Sequence, residues 1–179
     1  GAGFTRVTIA GDFGSELVQL YKITGNTKYL TAAINIADTL AGKVQSGDAD
    51  RSPLPFRVNV NTGQVTDSYT SDWTGTLKLF DELIKLNKGS TVVYNSARNA
   101  ISMWLKNYPM KTNKWGPTFS DVSGWSNTET NADTLAGYIL ENPDWDQNWK
   151  QDARTILNWT EAAFGNPTWN GVNWNQYGV

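Results

Sequence analysis

The 179-residue chain contains no cysteine and no histidine. The first absence excludes disulfides, thiolate metal sites and a cysteine nucleophile. The second removes the commonest general base and the commonest metal ligand. Together they exclude the Ser-His-Asp triad, the zinc hydrolases and the Cys-His enzymes. Charge is sparse too: charged residues make up 18% of the chain and the net charge is -2. No basic surface is therefore offered to nucleic acid or to an anionic membrane. No apolar run reaches membrane-spanning length. A soluble chain of one-domain size is expected.

What remains for catalysis is carboxylates, Tyr, Lys and Arg. What is abundant is tryptophan: nine Trp stand beside seven Tyr and six Phe, amid plentiful Asn, Thr and Gly. Trp stacks on the apolar faces of sugar rings while Asn, Asp and Arg take hydroxyls. Inside helices, Trp reads first as core with its N–H partnered; in loops, the sugar-binding reading takes precedence. The stretches "GDAD" and "DWDQN" lack the glycine and distant Glu of an EF-hand loop, so no metal and no cofactor is expected. The sequon at Asn158 falls in a predicted helix and is discounted. The opening "GAGF" lacks a methionine, so Gly1 reads as a tag scar. The composition suits a bacterial exported protein, secreted or periplasmic.

Six helices follow from apolar period and caps. They are expected at about Phe13–Thr24, Thr27–Gly42, Asp72–Leu86, Thr91–Asn107, Asn131–Leu140 and from Asp144 to Phe164. Asn26 or Thr27 caps the second, and Pro109 stops the fourth. "DWDQ" resembles a capping box for the sixth. The third carries two apolar stripes, which predicts burial between neighbours. Connections alternate strictly. Helices one to two, three to four and five to six are joined by tight turns. Residues 43–71 and 108–130 are long loops, and loops beyond about 12–15 residues are usually functional. In antiparallel hairpins both long loops fall at one end, with the approach to helix one and the tail 165–179. "FRVNV" and "QVTDSYT" flank "NTGQ" as a small β-hairpin within 52–70. "DFGSELVQLY" from Asp12, "DWTGTLKLFD" from Asp72 and "TNADTLAGYI" from Thr130 form a faint repeat of about 60 residues.

The hairpin "LYKITGNTKYLTAAINIADTLAGKV", Leu17 to Val44 in outline, resembles the signature of (α/α) toroids, the six-hairpin glycosidase superfamily and related polysaccharide lyases. The resemblance implies an all-α fold: three antiparallel helical hairpins in a toroid-like partial barrel, residues 1–179 forming one domain or a fragment of a larger toroid. It implies a sugar-binding cleft where the inner helices, one, three and five, begin. Three hairpins are half of such a ring. The remainder is then missing from this chain, belongs to a longer protein, or is replaced by self-association.

Glycoside hydrolysis needs two carboxyl groups, one acting as acid and one as base or nucleophile. The long-loop end offers Asp12, Asp48, Asp50, Asp67, Asp72, Asp121, Glu129 and Asp133. Asp72, opening a buried helix beside Trp73, is the first choice; its plainer reading is a helix cap or first-turn acid. Asp12 holds the equivalent place in helix one. Asp121, between Trp115 and Trp125, is the loop acid of choice, against a turn-forming role. Arg51 and Arg57 could grip a uronate carboxylate, with an ion pair to Asp48, Asp50 or Asp67 the stronger reading. The expected substrate-binding set is Arg51, Arg57, Tyr69, Trp73, Trp115, Trp125, Trp169 and Trp174. Three functions compete: a glycoside hydrolase on an oligosaccharide or polysaccharide, with a lyase variant using Tyr69 or an Arg as base; a non-catalytic glycan-binding module; and a helical protein-interaction scaffold.

Overall fold

A computed structural model describes residues 3–118, 128–164, 168–169 and 172–173. The described chain is mostly helical. Its helices are α1 (Thr8–Thr24), α2 (Thr27–Ala41), α3 (Thr74–Lys85), α4 (Thr91–Asn107), the four-residue α5 (Pro109–Thr112), α6 (Glu129–Glu141) and α7 (Trp149–Phe164). Strands β1 (Phe4–Arg6), β2 (Arg57–Asn59) and β3 (Val65–Asp67) form an antiparallel sheet in that order. A second ribbon pairs β4 (Thr168–Trp169) with β5 (Val172–Asn173).

Local chemistry sets several ends as expected. Gly25 closes α1 in the left-handed region, φ 69°, its N–H donating to Tyr21 O at 2.8 Å. Asn26 Oδ1 then accepts from Lys28 N at 3.0 Å and opens α2. Pro109 ends α4 and takes the first turn of α5, where its missing N–H costs nothing.

Four helix starts differ from expectation, α6 opening at Glu129 rather than Asn131. Helix α1 begins at Thr8, five residues before Phe13, although Gly11 and Gly14 weaken it locally. These glycines let α3 approach: a Cβ on Gly11 would stand 2.2 Å from Thr76 Oγ1, and one on Gly14 2.6 Å from Leu79 Cδ2. Packing outweighs propensity there. Helix α3 starts at Thr74, so Asp72 precedes it, and no side chain caps α3. Helix α7 starts at Trp149. Asp146 Oδ1 accepts from Asn148 N at 2.7 Å, a turn that displaces the expected cap at Asp144.

The predicted β-hairpin is present as β2–β3, with Asn59 Oδ1 accepting from the Asn61 and Thr62 N–H groups at its tip. Strand β1 was not anticipated. It pairs Phe4 with Asn59 and Arg6 with Arg57, and three residues carry too little pattern to signal a strand.

Sequential helices pack in pairs, α1 on α2, α3 on α4 and α6 on α7, while α3 also packs on α1 and α6. Contacts advance together along α1 and α3, from Gly11–Thr76 through Gly14–Leu79 to Lys22 Nζ–Glu82 Oε2 at 2.7 Å. They likewise advance along α3 and α6, from the Thr70–Asn131 contact to Tyr138 O–H donating to Asp81. Helices α1, α3 and α6 therefore run parallel and begin at one end. The core between the layers holds Trp73, Phe80, Tyr94, Trp104, Trp115 and Tyr138. Asp81 lies buried inside it, paired with Arg98 Nε at 2.5 Å.

The predicted gathering of loops is also seen. Val7 N donates to Phe56 O at 2.8 Å, Ser71 N to Trp115 O at 2.9 Å, and Thr70 Oγ1 to Pro117 O at 2.7 Å. The N-terminal strand and both long connections thus meet where α1, α3 and α6 begin. Among the described residues no helix is long and apolar enough to cross a membrane.

Candidate functional site

Asp72 sits in the short link between Thr70 and α3, its N–H donating to Thr70 Oγ1 at 3.2 Å. Its carboxyl group is not spent on capping the helix. Burial pushes its pKa up from 3.8 to about 6, and the nearby charge of Asp12 pushes the same way. Thr8 Oγ1 and Arg6 pull it back only in part, and Thr8 lies outside strict hydrogen-bond geometry.

Asp12 lies in the second turn of α1, one oxygen pressed against the backbone of Gly75. Its pKa is also raised. Desolvation is the main cause, opposed by Arg6, reinforced by Glu16 and opposed again by Lys78. Asp72 carries the larger displacement, so it is the member of the pair that holds a proton more readily.

Arg6 faces both acids electrostatically. Its Nη1 donates to Thr118 O at 2.6 Å, tying β1 to the second long loop. In the sheet it stands opposite Arg57, which in turn stands opposite Asp67.

The segment 115–118 is held by Asn131, in the first turn of α6 and almost wholly buried. Asn131 Nδ2 reaches Trp115 O at 3.1 Å, Gly116 O at 3.2 Å and Thr70 Oγ1 at 3.4 Å, while Thr118 Oγ1 donates to its Oδ1. Sequence reasoning missed Asn131. Its signal was an amide on the stripe that also carries Leu135 and Ala132, a polar residue where the period calls for an apolar one.

A groove of about 400 Å³ lies between α1, α3 and α6, farther along the helices than Asp12 and Asp72, which do not line it. Ser15 and Gln19 follow Asp12 on the same face of α1, and Lys78, Glu82 and Lys85 follow Gly75 on α3. Asn142 and Glu141 close the α6 side, with Lys78 Nζ 3.6 Å from Glu141. The lining combines neutral hydrogen-bonding groups with charges already paired in part.

Other expected site residues fall elsewhere. Trp73 and Trp115 are 0% exposed, so the cleft-facing expectation is corrected for both. Indole surface of that size gains more from the core than from solvent, and Trp73 Nε1 is partnered by Thr70 O at 2.8 Å. Tyr69 is buried as well: its hydroxyl donates to Lys114 O at 2.5 Å, and Lys114 Nζ stands 4.4 Å over its ring. Burial pushes that hydroxyl up to about 12, unsuited to act as a base near neutrality. Arg51 pairs with Asp48 at 2.6 Å in an exposed loop, the ion-pair alternative. Asp50 pairs with Lys114 at 2.9 Å. Asp121, Trp125 and Trp174 lie outside the described residues, as does the side chain of Trp169. Among the described residues no cluster of three or more acids is set to hold a metal ion.

Among the described residues the site gathers Asp12 and Asp72, equivalent positions of the faint repeat. Compared with protein-family models and with curated proteins, the chain matches none.

Proposed function

We propose that the chain is a carbohydrate-active domain, part of an (α/α) toroid, that hydrolyses an oligosaccharide by acid–base catalysis. The parallel run of α1, α3 and α6, each paired with an outer helix, supports the toroid-like reading. The observation that carries the chemistry is the electrostatically coupled Asp12–Asp72 pair at the end where α1 and α3 begin, on the two helices that go on to wall a polar groove. Environments that separate two carboxyl pKa values assign acid and base.

Asp72, protonated up to about pH 6, donates its proton to the glycosidic oxygen as the C–O bond breaks, and the leaving sugar departs as an alcohol. Asp12, in its carboxylate form, takes a proton from the water whose oxygen bonds to the anomeric carbon. Arg6 steadies the negative charge that the pair carries once Asp72 has given up its proton. Ser15, Gln19 and Asn142 offer hydroxyl partners along the groove. With Trp73 and Trp115 in the core, sugar binding here rests on polar contacts.

The test is release of new reducing ends from a panel of oligosaccharides, by the chain and by Asp72→Asn and Asp12→Asn. Each substitution should cost roughly 10²–10⁴-fold in kcat, the usual scale of a lost general acid or base. Full activity in both variants sinks the assignment. Saccharide binding by calorimetry without turnover replaces it with the glycan-binding reading.

A further inference from the structure

The row of parallel helices ends in two unlike surfaces. On α1, Ile9, Phe13, Leu20 and Ile23 are 44, 56, 42 and 80% exposed. Their spacing places them on one face of the helix, with Glu16 in the middle and away from the glycines that meet α3. At the far end of the row, α6 and α7 leave an apolar furrow of about 370 Å³. Leu140, Trp149, Ala153 and Leu157 line it, and Lys150 and Arg154 border it. On that flank of α6, a Cβ on Gly137 would meet nothing within 4 Å, so the helix surface there is open.

We infer that the α1 stripe of one copy docks into the α6–α7 furrow of a second copy, the contact being made twice in a head-to-tail pair. Three observations select a second copy as the occupant. The stripe is a ridge and the other surface a furrow, so each surface fits the other better than it fits itself. The charges are complementary: Glu16 sits within the stripe, while Lys150 and Arg154 flank the furrow. Finally, α3 stands between the two surfaces, so a single chain cannot join its own. A head-to-tail contact made once leaves one ridge and one furrow bare, and a closed pair covers all four. The inference does not depend on the carbohydrate chemistry.

Sedimentation equilibrium of the chain over a wide concentration range tests it. The expected species has twice the 19.8 kDa of the chain. Phe13→Asp and Arg154→Glu should each weaken pairing at least about tenfold. Both sites are exposed, so helical circular dichroism should be unchanged; if Phe13→Asp fails to fold, Arg154→Glu carries the test. Mixing the two variants should recover pairing in part, because one of the two contacts then joins intact surfaces. Combining Glu16→Arg with Arg154→Glu in one chain should also recover it. Monomer at every concentration overturns the inference. So do a pair indifferent to both substitutions, no recovery on mixing, and open-ended polymers.

Discussion

The Asp12 carboxylate rests on the backbone of Gly75: a methyl group there would stand 1.9 Å from its Oδ1 and 2.8 Å from its Cα. In an ordinary helix, Gly→Ala stabilises by up to about 1 kcal/mol. Here Gly75→Ala should destabilise instead, by about 1–3 kcal/mol, because α1 and α3 must separate. It should also cut the proposed hydrolytic activity, since Asp12 moves with α1. Urea midpoints give the sign, and an unchanged or raised midpoint refutes the close packing.

Asp72 should make the protein less stable as pH rises through the weakly acidic range. Its ordinary value of 3.8 applies to the unfolded chain and about 6 to the folded one. Below 3.8 both forms are protonated and nothing is lost. Between 3.8 and 6 the unfolded chain releases the proton first, so stability falls with pH. Above 6 the full penalty, about 2–3 kcal/mol, is present. Asp72→Asn should flatten that slope and be more stable than wild type at pH 7. Urea unfolding at several pH values from 4 to 7 measures both effects.

Trp115→Ala should cost about 3–5 kcal/mol, the scale for a large aromatic removed from a core. Saccharide titrations of the native chain should leave its fluorescence contribution unchanged, because no ligand reaches a buried indole. Loss of sugar affinity without loss of stability would return Trp115 to the cleft.

Asn131→Ala should leave the Trp115 and Gly116 carbonyls short of a donor and free Thr118 from its acceptor. A loss of about 1–3 kcal/mol is expected. Because Thr118 O holds Arg6, the pH dependence of activity should shift as well. Asn131→Asp, which keeps the size but loses the donors, should behave like the alanine variant. Thermal unfolding and a pH–rate profile together separate it from a simple packing defect.

Helices α2 and α4 were legible to within a residue because their apolar period and their end signals, Asn26 and Pro109, agree. The first turn of α1, Thr8 to Asp12, was missed because Gly11 lowers its local propensity, which packing against α3 outweighs. That both long connections gather at one end followed from loop lengths alone. Of the acids placed there, Asp72 was singled out, and Asp12 was placed by the repeat without its contact to Gly75. Trp115 was misread: a residue outside regular structure can still be core when its loop folds over a helix end. Asn131 and β1 depend on partners about 60 and 50 residues away in sequence, which no local pattern carries.

The bonds from Ser71 to Trp115, Thr70 to Pro117, Val7 to Phe56 and Arg6 to Thr118 make one mechanical piece of three distant stretches of chain. No one of these stretches can swing out alone without breaking a bond to another. The end that holds Asp12 and Asp72 therefore has no independent flap among the described residues. Lengthening any one of the stretches by a residue would then be felt at both acids, so the three can drift in sequence only in step.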